Sequence, residues 1–145
     1  MNILFFLTPK TELAYVNTTH SVRQAIERME NHSYTAVPVL TTHGNYDSTI
    51  TEGDLLWFMK QHPHLKFEDT KKIPLSLVAR RTVIKTIDVE SNIEDLLNLA
   101  LGQNFVPVVD GRNLFIGIVR RYSILSFFKD QLSDALHKNI QQDER

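Results

Sequence analysis

The sequence contains no cysteine, which removes disulfides, thiolate zinc sites and thiol nucleophiles at one stroke and agrees with a reducing compartment. Basic excess is also missing: 16 Lys and Arg stand against 17 Asp and Glu, a net charge of −1. A dedicated nucleic-acid binder carries a basic surplus, so no nucleic-acid partner is expected. Glycine is scarce, five residues placed mostly at turns, and neither a P-loop nor a G-x-G-x-x-G string occurs. No serine elbow with ordered His and Asp is found either, so the reading is of a protein that is not an enzyme. The six histidines are scattered, and His62-x-His64 has no acidic companion at ligand spacing, so no metal site is expected.

Long apolar runs are absent too. The strongest, Ile3-Leu4-Phe5-Phe6-Leu7, is stopped by Thr8-Pro9-Lys10. A spanning helix needs about 20 apolar residues and a secretory core about 7–15 behind a basic start. The run therefore reads as a short amphipathic segment packing on the body of a cytoplasmic protein without membrane insertion.

What the sequence does hold is a duplication. Thr35-Ala36-Val37-Pro38-Val39-Leu40 recurs as Asn104-Phe105-Val106-Pro107-Val108-Val109, an offset of 69 residues. The match continues without a gap, placing Tyr46 on Phe115, Ile50 on Val119, Leu55 on Ile124 and Phe58 on Phe127. Self-similarity at a fixed offset fixes architecture before single motifs do. Two stacked halves are expected, with function where they meet.

Each copy begins with a short strand candidate, Leu13 to Val16 and Val83 to Ile87. Val22, Ala25, Ile26 and Met29 then sit at i, i+3, i+4 and i+7, and Ile93, Leu96, Leu97 and Ala100 repeat that spacing, one apolar helix face in each copy. Ser21 with Gln24, and Ser91 with Glu94, read as capping boxes. Two strands follow in each: Ala36 to Leu40 and Tyr46 to Thr51, then Phe105 to Val109 and Leu114 to Arg120, the latter two joined through the hairpin signal Asp110-Gly111. Helices at Asp54 to Lys60 and Tyr122 to Lys129 close the copies. The expected fold is α+β, a tandem β-α-β-β-α arrangement, with motif 1 over 8–60, a polar linker over 61–72, motif 2 over 73–130 and a helical extension or tail over 131–145. Trp57, Phe58, Phe127 and Phe128 read as core or dimer-interface residues, and Arg80-Arg81 as solvated surface arginines.

This duplicated order, with Val-Pro-Val in both copies and Thr51-Glu52-Gly53-Asp54 after the third strand, resembles a pair of CBS motifs (a Bateman module) packed about a pseudo-two-fold axis. The strings Leu13-Ala14-Tyr15-Val16, Tyr34-Thr35-Ala36-Val37-Pro38-Val39-Leu40 and Phe115-Ile116-Gly117-Ile118-Val119 before arginines are similar to the small stand-alone bacterial pairs that bind cyclic di-AMP. The resemblance implies that Thr51 and Asp54 grip the ribose and phosphate of an adenine nucleotide. A carboxylate can accept both hydroxyls of a diol, and a threonine can donate to a phosphate or ribose oxygen. Asp54 capping its helix and Thr51 ending a strand is the plainer alternative.

In copy two the matching positions are Arg120 and Ser123. Those relatives commonly carry Thr-Arg-Arg after the last strand; here Arg120-Arg121-Tyr122 stands, and Glu12 occupies the place of a lysine found in some of them. Arginine suits bidentate phosphate contact, so ribose held by copy one and phosphate by copy two make one composite site. The alternative is two solvated arginines. For the base, Ala14 leaves room in the cleft, Thr35 and Ala36 supply an edge, and Tyr34 either stacks on adenine or simply packs between helix and sheet.

The resulting expectation is a regulatory homodimer. It binds an adenine nucleotide (cyclic di-AMP favoured; AMP, ADP or ATP otherwise) between its motifs, requires no cofactor, and signals to a protein target. The competing expectation is a dimerisation or interaction module indifferent to nucleotides.

Overall fold

Apolar central strands buried along nearly their whole length, with the helices that pack on them, build each half around its own small sheet in the computed structural model, which describes all 145 residues. In the first half β2 (Val16–Asn17) lies parallel to β3 (Ala36–Leu40), and β3 pairs antiparallel with β4 (Tyr46–Thr51). α1 (Val22–His32) joins β2 to β3, and α2 (Glu52–Gln61) follows β4. The second half repeats this with β5 (Ile87–Asp88), α3 (Ile93–Gly102), β6 (Phe105–Val109), β7 (Phe115–Arg120) and α4 (Arg121–Asp143). The fold is the α+β tandem of β-α-β-β-α motifs.

Pro38 and Pro107 sit inside the central strands, where a missing N–H would normally break a ladder. β2 reaches only Val39 and Leu40, and β5 only Val108 and Val109, so Pro38 and Pro107 lie beyond the end of the parallel partner. The opening strands are accordingly shorter and later than the sequence suggests. Residues before Val16 and Ile87 leave the ladder and line the space between the halves.

The Ser21 capping box forms as expected, Gln24 N–H donating to Ser21 Oγ at 3.2 Å and Ser21 N–H to Gln24 Oε1 at 2.8 Å. In the second half the cap is Asn92 rather than Ser91: Asn92 Oδ1 accepts from Asp95 N–H at 2.8 Å. Either residue type caps well, and the chain enters this helix one residue later.

Two features depart from a simple linear pair. The segment read as a polar linker is ordered, with a 3-10 turn over Phe67–Lys71 whose Phe67 ring carries the Arg23 guanidinium 3.7 Å from its centroid. Arg23 also donates to the Phe67 carbonyl at 3.0 Å and to Thr70 Oγ1 at 3.1 Å. The N-terminal run does pack on the body, but on the far half. Ile3 and Phe6 are buried in the second core, and β1 (Leu7–Pro9) pairs antiparallel with β7. The second sheet therefore has four strands, ordered β1-β7-β6-β5, and the first has three.

The halves meet through their hairpins in reciprocal bonds. Tyr46 N–H donates to Asn113 O at 3.1 Å, and Phe115 N–H to Gly44 O at 3.0 Å. Asn45 Nδ2 reaches Arg112 O at 3.0 Å while Asn113 Nδ2 reaches Tyr46 O at 2.9 Å. Asn45 bridges Leu114, its own repeat equivalent, so the pseudo-two-fold axis runs between these two residues. Above them Leu40, Phe115 and Ile118 form a small shared core with Leu13, Tyr15, Tyr46 and Phe105 packed on it.

Candidate functional site

Between the halves lies a cavity of about 750 Å³, within the range of small-molecule sites. Its walls come in repeat-related pairs: Tyr34 with Gln103, Thr35 with Asn104, Ala36 with Phe105, Thr51 with Arg120, and Gly53 with Tyr122. Ala14 and Ile84 add the turns leading into β2 and β5. The cleft is thus a two-sided chamber made by both copies.

Of the residues singled out from the sequence, Ala14, Tyr34, Thr35, Ala36, Thr51, Arg120 and Tyr122 line this one cavity. Asp54 and Arg121 do not reach its wall. Asp54 is buried behind it, Oδ2 accepting the Thr51 N–H at 3.0 Å while Thr51 Oγ1 accepts the Asp54 N–H at 3.1 Å. Its other oxygen takes the Arg81 N–H at 2.9 Å. Arg121 turns onto the end of α3, Nε donating to Ala100 O at 2.6 Å, Nη2 to Leu101 O at 3.3 Å and Nη1 to Asn104 Oδ1 at 3.1 Å. These carbonyls are the ones a helix leaves without internal donors, so the guanidinium serves α3 as a cap.

The two ends of the chamber differ in charge. α2 begins with Glu52 and Asp54 in its first turn; Thr51 Oγ1 takes the Asp54 N–H and Thr35 O the Glu52 N–H. α4 begins with Arg121 behind Arg120 at its N-cap, has no acidic residue in its first turn and no side-chain cap. The Arg121 N–H is taken by Asn104 O at 2.8 Å, but with no side-chain cap and no acidic residue beside it, the start of α4 and the exposed Arg120 favour an anion at the second-copy end. Thr51 and Glu52 at the other end offer acceptors suited to hydroxyls.

Arg80 and Arg81 are not simply solvated. Arg81 lies 4.8 Å from the Trp57 ring centroid, and Arg80 is half-buried, donating to the carbonyls of Val78 and Leu75 while its Nε has no partner. Burial pushes the Arg80 guanidinium below its usual range, with Asp54, Asp47 and Tyr46 pulling it back. Beside it runs a smaller crevice of about 410 Å³ lined by Thr18, Asp47, Ser48 and Ser76. Tyr46 sits close to this group, its hydroxyl 2.7 Å from Thr49 Oγ1 and donating at 3.4 Å to Ile84 O; burial raises its phenol above the usual 10.0.

Leu13, Ser33 and Glu52, within or beside the sequence motifs but not singled out as ligands, also face the chamber, as do Thr82, Ile84 and Gln103, which the sequence reading passed over. The repeat offset itself was the usable signal: shifting Tyr34 by the repeat offset lands on Gln103. No group of three or more His, Cys, Asp and Glu residues could hold a metal ion, and no helix is long and apolar enough to cross a membrane.

Comparison with known proteins agrees with this architecture. No curated protein matches the sequence. Among solved structures, CbpB in complex with c-di-AMP superposes with a TM-score of 0.82 at 22% identity, covering 95% of this chain and 91% of that one. A CBS domain protein from Streptococcus pneumoniae TIGR4 gives 0.79 at 29% identity, covering 89% and 87%. CBSX2 in complex with AMP gives 0.71 at 23% identity, covering 89% and 96%. The CBS domain model matches twice, over residues 6–61 and 77–130, on the two halves whose junction forms the chamber, and this chain belongs to the CBS-domain family as a tandem pair.

Proposed function

We propose that this chain is a cytoplasmic regulatory protein, without catalytic activity of its own, that binds an adenine nucleotide in the chamber between its two CBS motifs. Cyclic di-AMP is the favoured ligand, with AMP, ADP or ATP as the other candidates. The observation that carries this is the repeat-paired frame of the chamber, about 750 Å³ with Thr51 on one side and Arg120 on the other, which has room for a nucleotide held by both copies. The solved structures named above, bound to c-di-AMP and AMP, support the same chemistry.

The nucleotide lies with its ribose toward Thr51 and Glu52 and a phosphate toward Arg120 and the start of α4. Tyr34 and Ala14 flank the base, Thr35 and Ala36 lie along it, and Tyr122 closes the phosphate end. Asp54 and Arg121 act from behind the wall, fixing Thr51 and the end of α3. Binding tightens one arrangement of the two halves over another, and that difference changes affinity for a protein target.

The working unit is a homodimer of this chain. α4 runs well past the body and leaves Leu125, Leu132, Leu136 and Ile140 exposed, with Leu56 and Trp57 of α2 also uncovered. Leu132, Leu136 and Ile140 form one i±4 ridge, the kind that packs into a like helix. By helical spacing Lys129 and Asp143 flank the same face. Two copies laid antiparallel bring each lysine toward the other copy's aspartate, a match that a parallel pair lacks.

That apolar ridge also sustains a second reading, an interaction module indifferent to nucleotides. Isothermal titration against cyclic di-AMP, AMP, ADP and ATP separates the two. Heat with at least one of them supports the sensor. No heat at millimolar ligand, with the dimer intact, leaves the interaction module.

A further inference from the structure

The two sides of the chamber differ at one hydrogen-bonding edge. Val16 pairs with Val39 and Ile87 with Val108, and Val39 and Val108 are repeat equivalents, so strand register aligns Ala14 with Lys85. Ala14 lines the chamber, and neither its N–H nor its C=O bonds to another group of the chain. At Lys85 both are taken. Its N–H donates to Gln103 Oε1 at 2.8 Å, and its C=O accepts from Gln103 Nε2 at 3.0 Å. The same Nε2 reaches Phe105 O at 3.2 Å. A backbone N–H can only donate and a carbonyl can only accept, so the orientation of this carboxamide is fixed by its partners.

A carboxamide shows an acceptor and a donor side by side, and so do N1 and the amino group of adenine. A backbone segment offering N–H and C=O together reads either one, as carboxamides and adenine read each other in nucleic-acid recognition. Gln103 is nearly buried, at 9% exposed, and lines the chamber on the second-copy side. Its counterpart Tyr34 is packed against the first core with its ring 5.5 Å from that of His32, and makes no such contact with Ala14.

We infer that Gln103 is an internal stand-in for adenine, which closes the base-reading edge of the second copy and leaves the chamber one open adenine edge, at Ala14. This rests on the nucleotide reading above. A mononucleotide then binds once per chain. A ligand carrying two adenines either seats its second base without that edge or displaces Gln103, and displacement weakens binding by the bonds it breaks.

Titration calorimetry of the full chain and of Gln103→Ala with AMP and with cyclic di-AMP tests this, with thermal melting as the check of folding. The expected result is one AMP per chain for the parent and two for Gln103→Ala, with cyclic di-AMP binding about tenfold tighter to the variant. Unchanged stoichiometry and affinity in the folded variant overturns the inference, as does a parent that already binds two AMP. A parent that binds neither nucleotide overturns the nucleotide reading itself. Should Gln103→Ala fail to fold, Gln103→Asn, whose carboxamide is one methylene too short to span both Lys85 groups, carries the same comparison.

Discussion

The Asp54 carboxylate and the Arg81 amide stand 2.9 Å apart, so the residue that caps α2 also ties down the segment leading into the second motif. Asp54→Ala removes that bond and the cap on Thr51 together, leaving two amide donors without partners. A loss of about 2–3 kcal/mol in unfolding free energy is expected from urea titration. Asp54→Asn keeps one acceptor oxygen and should lose roughly half as much. Equal losses for the two variants would remove the anchoring role.

Arg120 and Arg121 are neighbours with separable jobs. Arg120→Ala should leave the melting temperature unchanged and weaken nucleotide binding about tenfold or more, as loss of a charge-assisted phosphate contact does. Arg121→Ala should lower stability by about 1–2 kcal/mol through the exposed end of α3. Melting curves and titrations of both variants check the split, and identical profiles would refute it.

Gly117 allows β1 to approach β7. A Cβ there would clash with the Thr8 carbonyl oxygen and lie 2.9 Å from Leu7 Cδ1. Gly117→Ala is expected to cost about 1–3 kcal/mol, as overpacking does. Deleting residues 1–9 should abolish most of that cost, a non-additivity that a double-mutant cycle on thermal unfolding measures directly.

Tyr46 supplies a pH dependence with a defined sign. Burial raises its folded-state pKa above the ordinary 10.0. The stability this represents is fully present below the unfolded value and is lost as pH rises through the folded one. Unfolding free energy should therefore fall on the alkaline side of pH 10, and Tyr46→Phe should flatten that fall. The same variant frees the Ile84 carbonyl at the chamber wall, so its effect on nucleotide affinity is worth measuring alongside.

Leu132→Asp with Leu136→Asp places two charges on the exposed ridge of α4. Light scattering should show dimers of the parent chain and monomers of the double variant, while far-UV circular dichroism stays close to the parent. A parent that is monomeric at micromolar concentration would refute the dimer.

The repeated frame was legible because it is carried by apolar spacing, and burial of Val37, Ile50, Val106 and Val119 obeys the same rule in both halves. The chamber was legible in outline for a related reason: residues before β3 and after β4 must meet at the sheet edge. What escaped depended on partners distant in sequence. Nothing in Leu7-Thr8-Pro9 says that its partner is β7 rather than a strand of its own half. Arg121 has the same chemistry for a phosphate as for a helix-end carbonyl, and only its direction decides. Gln103 carried no signal of its own in the sequence, because the backbone edge it meets belongs to an irregular segment that sequence reads as strand.

The crossing of β1 onto β7 also bears on how the chain is made. β1 finds its partner only in β7, on the far side of the whole first motif, and antiparallel pairing across that separation carries a loop-closure entropy that local hairpins avoid. The first motif can collapse on its own core during synthesis, but the second sheet stays without its outer strand, and Ile3 and Phe6 without their pocket, until β7 has been made. Docking of β1 is therefore a late step, in which the segment ahead of the first motif locks the second.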